Sequence, residues 1–100
     1  MLGRLIAVLC LLASPAWAID GPARVVDGDT IVIARERIRL QNFNAPEMNQ
    51  PGGPEAKARM EALTRGKVVH CDPKARDRYA RLVARCEVDG MDLGRALRSR

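Results

Sequence analysis

Aromatic side chains are scarce in this sequence. Its 100 residues include one tryptophan, one phenylalanine and one tyrosine, which are Trp17, Phe43 and Tyr79. Surfaces that bind single-stranded nucleic acid tightly hold successive bases on stacked aromatic rings. With so few rings, a stacking surface of this kind is not expected.

Histidine is scarcer still, because His70 is the only one. The chain has three cysteines, Cys10, Cys71 and Cys86. Structural zinc sites use four Cys or His ligands at characteristic spacings. Since no second Cys/His pair accompanies Cys71 and Cys86, a metal pair or a catalytic thiol is disfavoured here.

The sequence has no apolar run long enough to span a bilayer stably. The longest candidate, residues 5–13, falls short of the roughly 20 residues that a transmembrane helix needs. Arg4 precedes it, and Ala16, Trp17 and Ala18 follow as a small-x-small cleavage pattern. Residues 1–18 are therefore interpreted as a bacterial signal peptide, with an N-terminal anchor or a buried strand as the alternatives. We expect residues 19–100 to form one domain that is secreted or periplasmic and has no stable membrane association.

Export would leave Cys71 and Cys86 as an even pair in an oxidising compartment, which predicts a disulfide. On the chain-entropy model a loop of this length contributes about 3 kcal/mol to the stability of the fold. The net charge of +5 falls to +4 once Arg4 is removed. A basic exported domain suits an anionic partner such as nucleic acid or an acidic polysaccharide.

Short alternating strands with one inserted helix are predicted along the domain. A helix is expected from Pro54 to its end at Gly66, and a second over residues 91–97. Residues 42–54 and the charged residues 73–78 are expected to be loops. The strands are expected at residues 24–27, 31–33, 38–40, 67–72 and 79–88. This order fits a mainly β fold with helices, a five-stranded OB-type barrel.

Four polar clusters are separated in sequence but could converge in such a barrel. They are the turn with Asp27 and Asp29, the strand residue Arg39, the loop over residues 44–47, and residues 77–81. Oxygen donors on turns suit a hard cation such as calcium, and arginines suit a phosphate. A free glutamate could act as general base on a water molecule. Together these groups are the components needed to hydrolyse a phosphodiester.

In order and spacing, these clusters resemble the thermonuclease (staphylococcal nuclease-like) family. The matching motifs are Val26-Asp27-Gly28-Asp29-Thr30, Ile38-Arg39-Leu40, Asn44-Ala45-Pro46-Glu47, Gly53-Pro54-Glu55-Ala56, Asp77-Arg78-Tyr79-Ala80-Arg81 and Asp89-Gly90 with Leu93 and Leu97. The resemblance implies an OB-fold barrel and a Ca²⁺-dependent enzyme. Such an enzyme cleaves DNA and RNA by in-line attack on phosphorus and breaks the bond to the 5′ oxygen.

The resemblance also implies roles for individual residues. Glu47 would orient or deprotonate the attacking water, while Arg39 and Arg81 would hold the phosphate and stabilise its developing charge. Tyr79 would pack near the nucleotide. Asp27 would support its turn rather than bind the metal.

The metal ligands implied by the resemblance are the carboxylate of Asp29, the side chain at Asn44 and the backbone carbonyl of Ala45. The family pattern has aspartate where this chain has Asn44. Asparagine keeps a carbonyl oxygen but loses one negative charge, so weaker calcium binding and a slower enzyme are expected.

Two further departures from the family pattern concern Ala80 and the C-terminus. Ala80 replaces the usual glycine before Arg81, and a positive φ there would strain the loop by roughly 1–2 kcal/mol. The C-terminal helical part is expected to be truncated. The alternative function is a catalytically inactive, nuclease-like binding module for nucleic acid or an acidic glycan. In either case we expect a monomer.

Overall fold

The structure is a computed structural model that describes residues 17–99. Most of the predicted signal peptide, together with Cys10, lies outside the described residues. Within residues 17–99, no helix is both long and apolar enough to cross a membrane.

Within residues 17–99, seven strands form one curled sheet, and two helices pack beside it. The strands are β1 Ile19–Gly21, β2 Arg24–Asp27, β3 Thr30–Ile33, β4 Glu36–Leu40, β5 Val69–Arg76, β6 Leu82–Val88 and β7 Met91–Asp92. The helices are α1 Gly53–Thr64 and α2 Leu93–Arg98. The strand order is β1-β5-β6-β4-β3-β2, with β7 beside β6. Strands β4 and β6 pair in parallel, and the other pairs are antiparallel.

This architecture confirms the predicted mainly β, OB-like fold with helices. All five predicted strands are present, and the described residues add two short strands, β1 and β7. Both are very short. β1 pairs with the longer strand β5, and β7 pairs with the longer strand β6. Strands of two or three residues carry too little alternation to be read from sequence.

The hairpin of β5 and β6 also differs from its prediction. Residues 73–76 were expected in a charged loop, but they continue β5 beyond a register shift between Pro73 and Ala75. The true turn is short, with the Ala80 N–H donating to the Asp77 carbonyl at 3.0 Å. Strand β6 therefore begins at Leu82 rather than at Tyr79. Exposed charged residues are compatible with a strand when backbone pairing holds them, which composition does not reveal.

The second helix begins later than predicted, because Met91 lies in β7. Asp92 then caps α2, and its carboxylate accepts a hydrogen bond from the backbone N–H of Arg95. Asp92 is the last residue of β7 and has the extended backbone that an N-cap residue adopts.

Strand β4 shows how the core positions the site. Ile38 and Leu40 are fully buried, and Met60 of α1 is buried in the same core. Since neighbouring residues of a strand point to opposite faces, Arg37 and Arg39 lie on the outer face of β4. The alternation predicted for residues 38–40 is therefore confirmed, and it brings two arginines to the same surface.

Candidate active site

The turn between β2 and β3 is held by Asp27, whose carboxylate accepts a hydrogen bond from the Asp29 N–H at 3.2 Å. Burial, and then its side-chain contact with Asp29, raise the pKa of Asp27. A Cβ at Gly28 would lie 2.6 Å from the Cβ atoms of Ala45 and Ala56. Only glycine therefore lets this turn pack between α1 and the loop that carries Ala45.

Asp29 joins the turn to that loop. Its side chain is nearly buried, with 8% of the residue exposed. Oδ1 accepts a hydrogen bond from Thr30 Oγ1 at 3.0 Å, and Oδ2 accepts one from the Ala45 N–H at 2.9 Å. Asp29 thus links Ala45 to the β2–β3 turn. These two bonds already use part of the hydrogen-bonding capacity of the Asp29 carboxylate.

Arg39 organises the same loop from the outer face of β4. Its Nη1 donates to the carbonyls of Leu40 and Phe43 at 2.5 and 2.7 Å. Its Nη2 donates to the amide oxygen of Asn44 and lies 3.6 Å from Asp29 Oδ2. The guanidinium therefore lies between the two side chains that the family resemblance assigns to the metal.

The donor set around Asp29 suits calcium in type but is weak in charge. Asp29, Asn44 and the Ala45 carbonyl would supply oxygen ligands, which Ca²⁺ prefers. Only Asp29 carries a formal negative charge, and Arg39 already contacts it. Among residues 17–99, no three His, Cys, Asp or Glu residues form a group able to hold a metal. The oxygen donors match a hard cation in type, and Arg39 would compete with such an ion for Asp29 and Asn44.

A shallow groove of about 350 Å³ holds three further predicted site residues together with Arg37, which was not predicted. Its lining residues are Arg37, Glu47, Tyr79 and Arg81. Glu47 is exposed, and its backbone is held by its own loop. The Glu47 N–H donates to Gln50 Oε1 at 2.7 Å, and the Gln50 N–H donates to the Glu47 carbonyl at 2.9 Å. Within residues 17–99, the Glu47 carboxylate accepts no hydrogen bond, which leaves it free for a water molecule.

Arg81 is positioned by Asp77 at the tip of the β5–β6 hairpin. Asp77 accepts hydrogen bonds from the Tyr79 and Arg81 N–H groups and from Arg81 Nε at 2.8 Å. Burial tends to raise the pKa of Asp77, but these hydrogen bonds and the charge of Arg81 lower it overall. Asp77 therefore stays ionised to low pH and keeps Arg81 in place.

Tyr79 stands above this turn with 64% of its surface exposed. The guanidinium carbons of Arg78 and Arg81 lie 5.1 and 5.3 Å from its ring centroid, within cation–π range. An exposed aromatic face beside two cations can contact a base or sugar and a phosphate together. The predicted role of Tyr79 in nucleotide binding remains a prediction.

Ala80 has a φ of 65°, in the left-handed region that favours glycine. We expect Ala80→Gly to raise the free energy of unfolding by about 0.5–1 kcal/mol, the relieved strain less the entropy that glycine adds to the unfolded chain. Urea unfolding of the oxidised protein measures this change. Ala75→Gly in β5 is the control and should destabilise, since its φ is not positive. Equal destabilisation by both substitutions would contradict the argument.

The structure thus places the predicted site residues in two groups. Asp29, Arg39, Asn44 and Ala45 are joined by direct contacts, and Glu47, Tyr79 and Arg81 share the groove. Sequence reasoning missed the contact of Arg39 with Asn44, and it missed Arg37. The alternation around Ile38 was the available signal for Arg37, since it places residue 37 beside residue 39 on the outer face.

Comparison with known proteins identifies the family. A family model described as staphylococcal nuclease homologue matches residues 37–98. The chain belongs to this family, as its fold and the order of its site residues predicted.

Several relatives share extensive sequence with this chain. It is 36% identical over 110 residues to the succinoglycan biosynthesis protein ExoI of Rhizobium meliloti (strain 1021), covering 96% of this chain and 58% of that protein. It is 40% identical over 81 residues to a micrococcal nuclease of Shigella flexneri, covering 75% of this chain and 47% of the relative. An uncharacterized endonuclease of Escherichia coli is 39% identical over 94 residues, covering 86% and 61% respectively. The chain spans about half the length of the curated relatives it matches.

Proposed function

We propose that this protein is a nuclease that hydrolyses phosphodiester bonds of DNA or RNA. One observation carries the proposal: Glu47, whose carboxylate accepts no hydrogen bond from the described residues, shares a groove with Arg81 and Tyr79. The loop that bears Glu47 also contains Asn44 and Ala45, which are bonded to Arg39 and Asp29. Hydrolysis of an anionic ester uses a general base to activate water and a positive charge to stabilise the phosphate, both within reach of the substrate. The nuclease names of two relatives support the same class of reaction.

In the proposed reaction, Glu47 takes a proton from a water molecule in the groove. The resulting oxygen nucleophile attacks phosphorus, the bond from phosphorus to the 5′ oxygen breaks, and the departing oxygen takes up a proton from solvent. Arg81 stabilises the negative charge that develops on the phosphate oxygens in the transition state. Arg39 contributes further positive charge from the neighbouring group.

Calcium is the proposed cofactor, held by Asp29, Asn44 and the Ala45 carbonyl. When bound, it would add positive charge next to the phosphate. Its affinity should be low because one carboxylate stands where the family pattern has two, and calcium affinity rises with ligand charge. Arg39 must also give up part of its contact with Asp29 and Asn44 for an ion to enter.

The cofactor proposal is tested by titrating DNA cleavage with calcium in wild type and Asn44→Asp. We expect wild type to need a high calcium concentration, and Asn44→Asp to lower the half-saturating concentration by about tenfold or more, since ligand charge tunes such sites over decades. Asn49→Asp is the matched control, because it adds the same charge to an exposed position of the same loop. If Asn44→Asp and Asn49→Asp give the same calcium dependence, calcium does not bind through residue 44.

We further propose that the protein is exported through residues 1–18 and acts as a monomer in the periplasm or the medium. The Cys71–Cys86 disulfide supports this location, because such bonds persist in oxidising compartments. Western blotting of cell fractions for a form lacking the first 18 residues tests the location, and light scattering tests the oligomeric state.

A second candidate function is a binding module for an acidic glycan or nucleic acid without catalysis. The relationship to a succinoglycan biosynthesis protein favours it, as does the loss of a charge at Asn44. A binding module should hold its anionic polymer equally with calcium or chelator and should cleave nothing. Cleavage that requires divalent metal would exclude it.

A further inference from the structure

The two arginines that the family pattern assigns to the phosphate are both engaged by the protein itself. Arg39 donates to two backbone carbonyls and to Asn44, and it contacts Asp29. Arg81 donates through Nε to Asp77 at 2.8 Å. Part of the charge of each arginine is therefore already neutralised, and of the two only Arg81 lines the groove.

Arg37 is the third arginine at this surface, and it differs from the other two. It lines the groove with Glu47, Tyr79 and Arg81, and it is exposed. Within residues 17–99, it forms no salt bridge and no side-chain hydrogen bond. Its full charge and all its donors are available to a ligand in the groove.

Sheet register places Arg37 beside Arg81. Strands β4 and β6 are parallel, with Ile38 opposite Leu82 and Leu40 opposite Ala84. Arg37 and Arg81 each lie one residue before the first paired position, where adjacent strands are about 5 Å apart, and both line the groove. Along β4, residues 37 and 39 are separated by roughly 6–7 Å on the same face. Arg37 and Arg81 therefore share the groove, and Arg39 lies next to it, one alternation further along the same face of β4, so the three arginines do not converge on one point.

We propose that Arg37 is a substrate-binding residue that holds a second phosphate of the nucleic-acid strand, adjacent to the one being hydrolysed. The inference rests on the proposed nuclease function and specifies its substrate. An extended row of cations fits a polyanion with regularly spaced charges, and a guanidinium matches phosphate oxygens in geometry. The site then selects a strand with at least two neighbouring phosphates over an isolated phosphodiester.

The catalytic test compares Arg37→Gln and Arg37→Lys with wild type on two substrates. One is a single-stranded DNA oligonucleotide, and the other is a nucleoside p-nitrophenyl phosphodiester, which has a single phosphate. We expect Arg37→Gln to raise KM for the oligonucleotide about tenfold at unchanged kcat and to leave the single-phosphate ester unaffected. Arg37→Lys should recover part of the loss. An equal effect on both substrates, or no effect on either, would overturn the proposal.

A binding test keeps this inference separate from the proposed function. Affinity of the Glu47→Gln protein for the same oligonucleotide is measured against salt concentration, with and without Arg37→Gln. Each phosphate contact to a single strand adds about 0.7 to the slope of log affinity against log salt. Loss of Arg37 should reduce the slope by about that amount, while Arg24→Gln, at an exposed position outside this groove, should not. If wild type cleaves neither substrate but this slope falls, the nuclease proposal fails and Arg37 still binds a phosphate. An unchanged slope, or no binding at all, overturns the role of Arg37.

Discussion

Replacing Glu47 by glutamine is expected to lower the rate of DNA cleavage by about 10²–10⁴-fold, the usual contribution of a general base. The carboxylate has no hydrogen-bond donor among the described residues and lines the groove with Arg81. Glutamine keeps its size but cannot accept a proton from water. Because Glu47 is exposed and held through its backbone, the variant should fold normally. Initial rates at saturating calcium, together with urea unfolding, measure the two effects.

Glu55→Gln is the matched control for Glu47→Gln. Glu55 is exposed, lies in the first turn of α1 and does not line the groove with Arg81. Its loss removes the same charge and should leave the cleavage rate within about twofold of wild type. If both variants cleave at the wild-type rate, Glu47 is not the base.

Removing the Cys71–Cys86 disulfide is expected to lower the free energy of unfolding by about 3 kcal/mol, on the chain-entropy model for a loop of this size. The two cysteines face each other in the β5–β6 register and are 15 residues apart in sequence. Their side chains are buried, with 0% and 1% of each residue exposed. Since small domains are only about 5–15 kcal/mol stable, this is a large share of the total.

The double variant Cys71→Ala with Cys86→Ala tests this prediction by urea unfolding at equal protein concentration. Reduced wild type serves as the control, because it lacks the bond but keeps both sulfur atoms in the core. Both proteins should unfold at lower urea than oxidised wild type. A stability change under about 1 kcal/mol would show that the bond does not stabilise this fold.

The disulfide also bears on the site, because the hairpin that it joins ends in the turn with Asp77 and Arg81. Asp77 keeps that turn closed through hydrogen bonds to Tyr79 and Arg81. Its lowered pKa means that this contribution is present above the ordinary aspartate pKa and is lost as the pH falls through the lowered value. The hairpin is thus held covalently at the Cys71–Cys86 pair, away from the turn, and electrostatically at its tip.

The sequence pattern was sufficient to predict elements in which buried and exposed residues alternate regularly. It was also sufficient for motifs whose residue types have a defined chemical role. The alternation of Ile38 and Leu40 around Arg39 predicted β4, and Met60 marked the buried face of α1. Pattern failed at β5, where charged residues suggested a loop but backbone pairing to β6 extends the strand to Arg76. Pairing energy depends on the partner strand, which no local window contains.

The sequence by itself determined the family, the OB-like fold and the identity of Glu47, Arg81 and Asp29 as candidate site residues, because these depend on residue type and spacing. Only the tertiary structure decided which charges are free. It showed that Arg39 is bonded to Asn44 and beside Asp29, that Asp77 holds Arg81, and that Arg37 faces the groove unpaired within the described residues. The availability of a charge depends on which opposite charges lie within a few ångströms, and chain folding alone sets those distances.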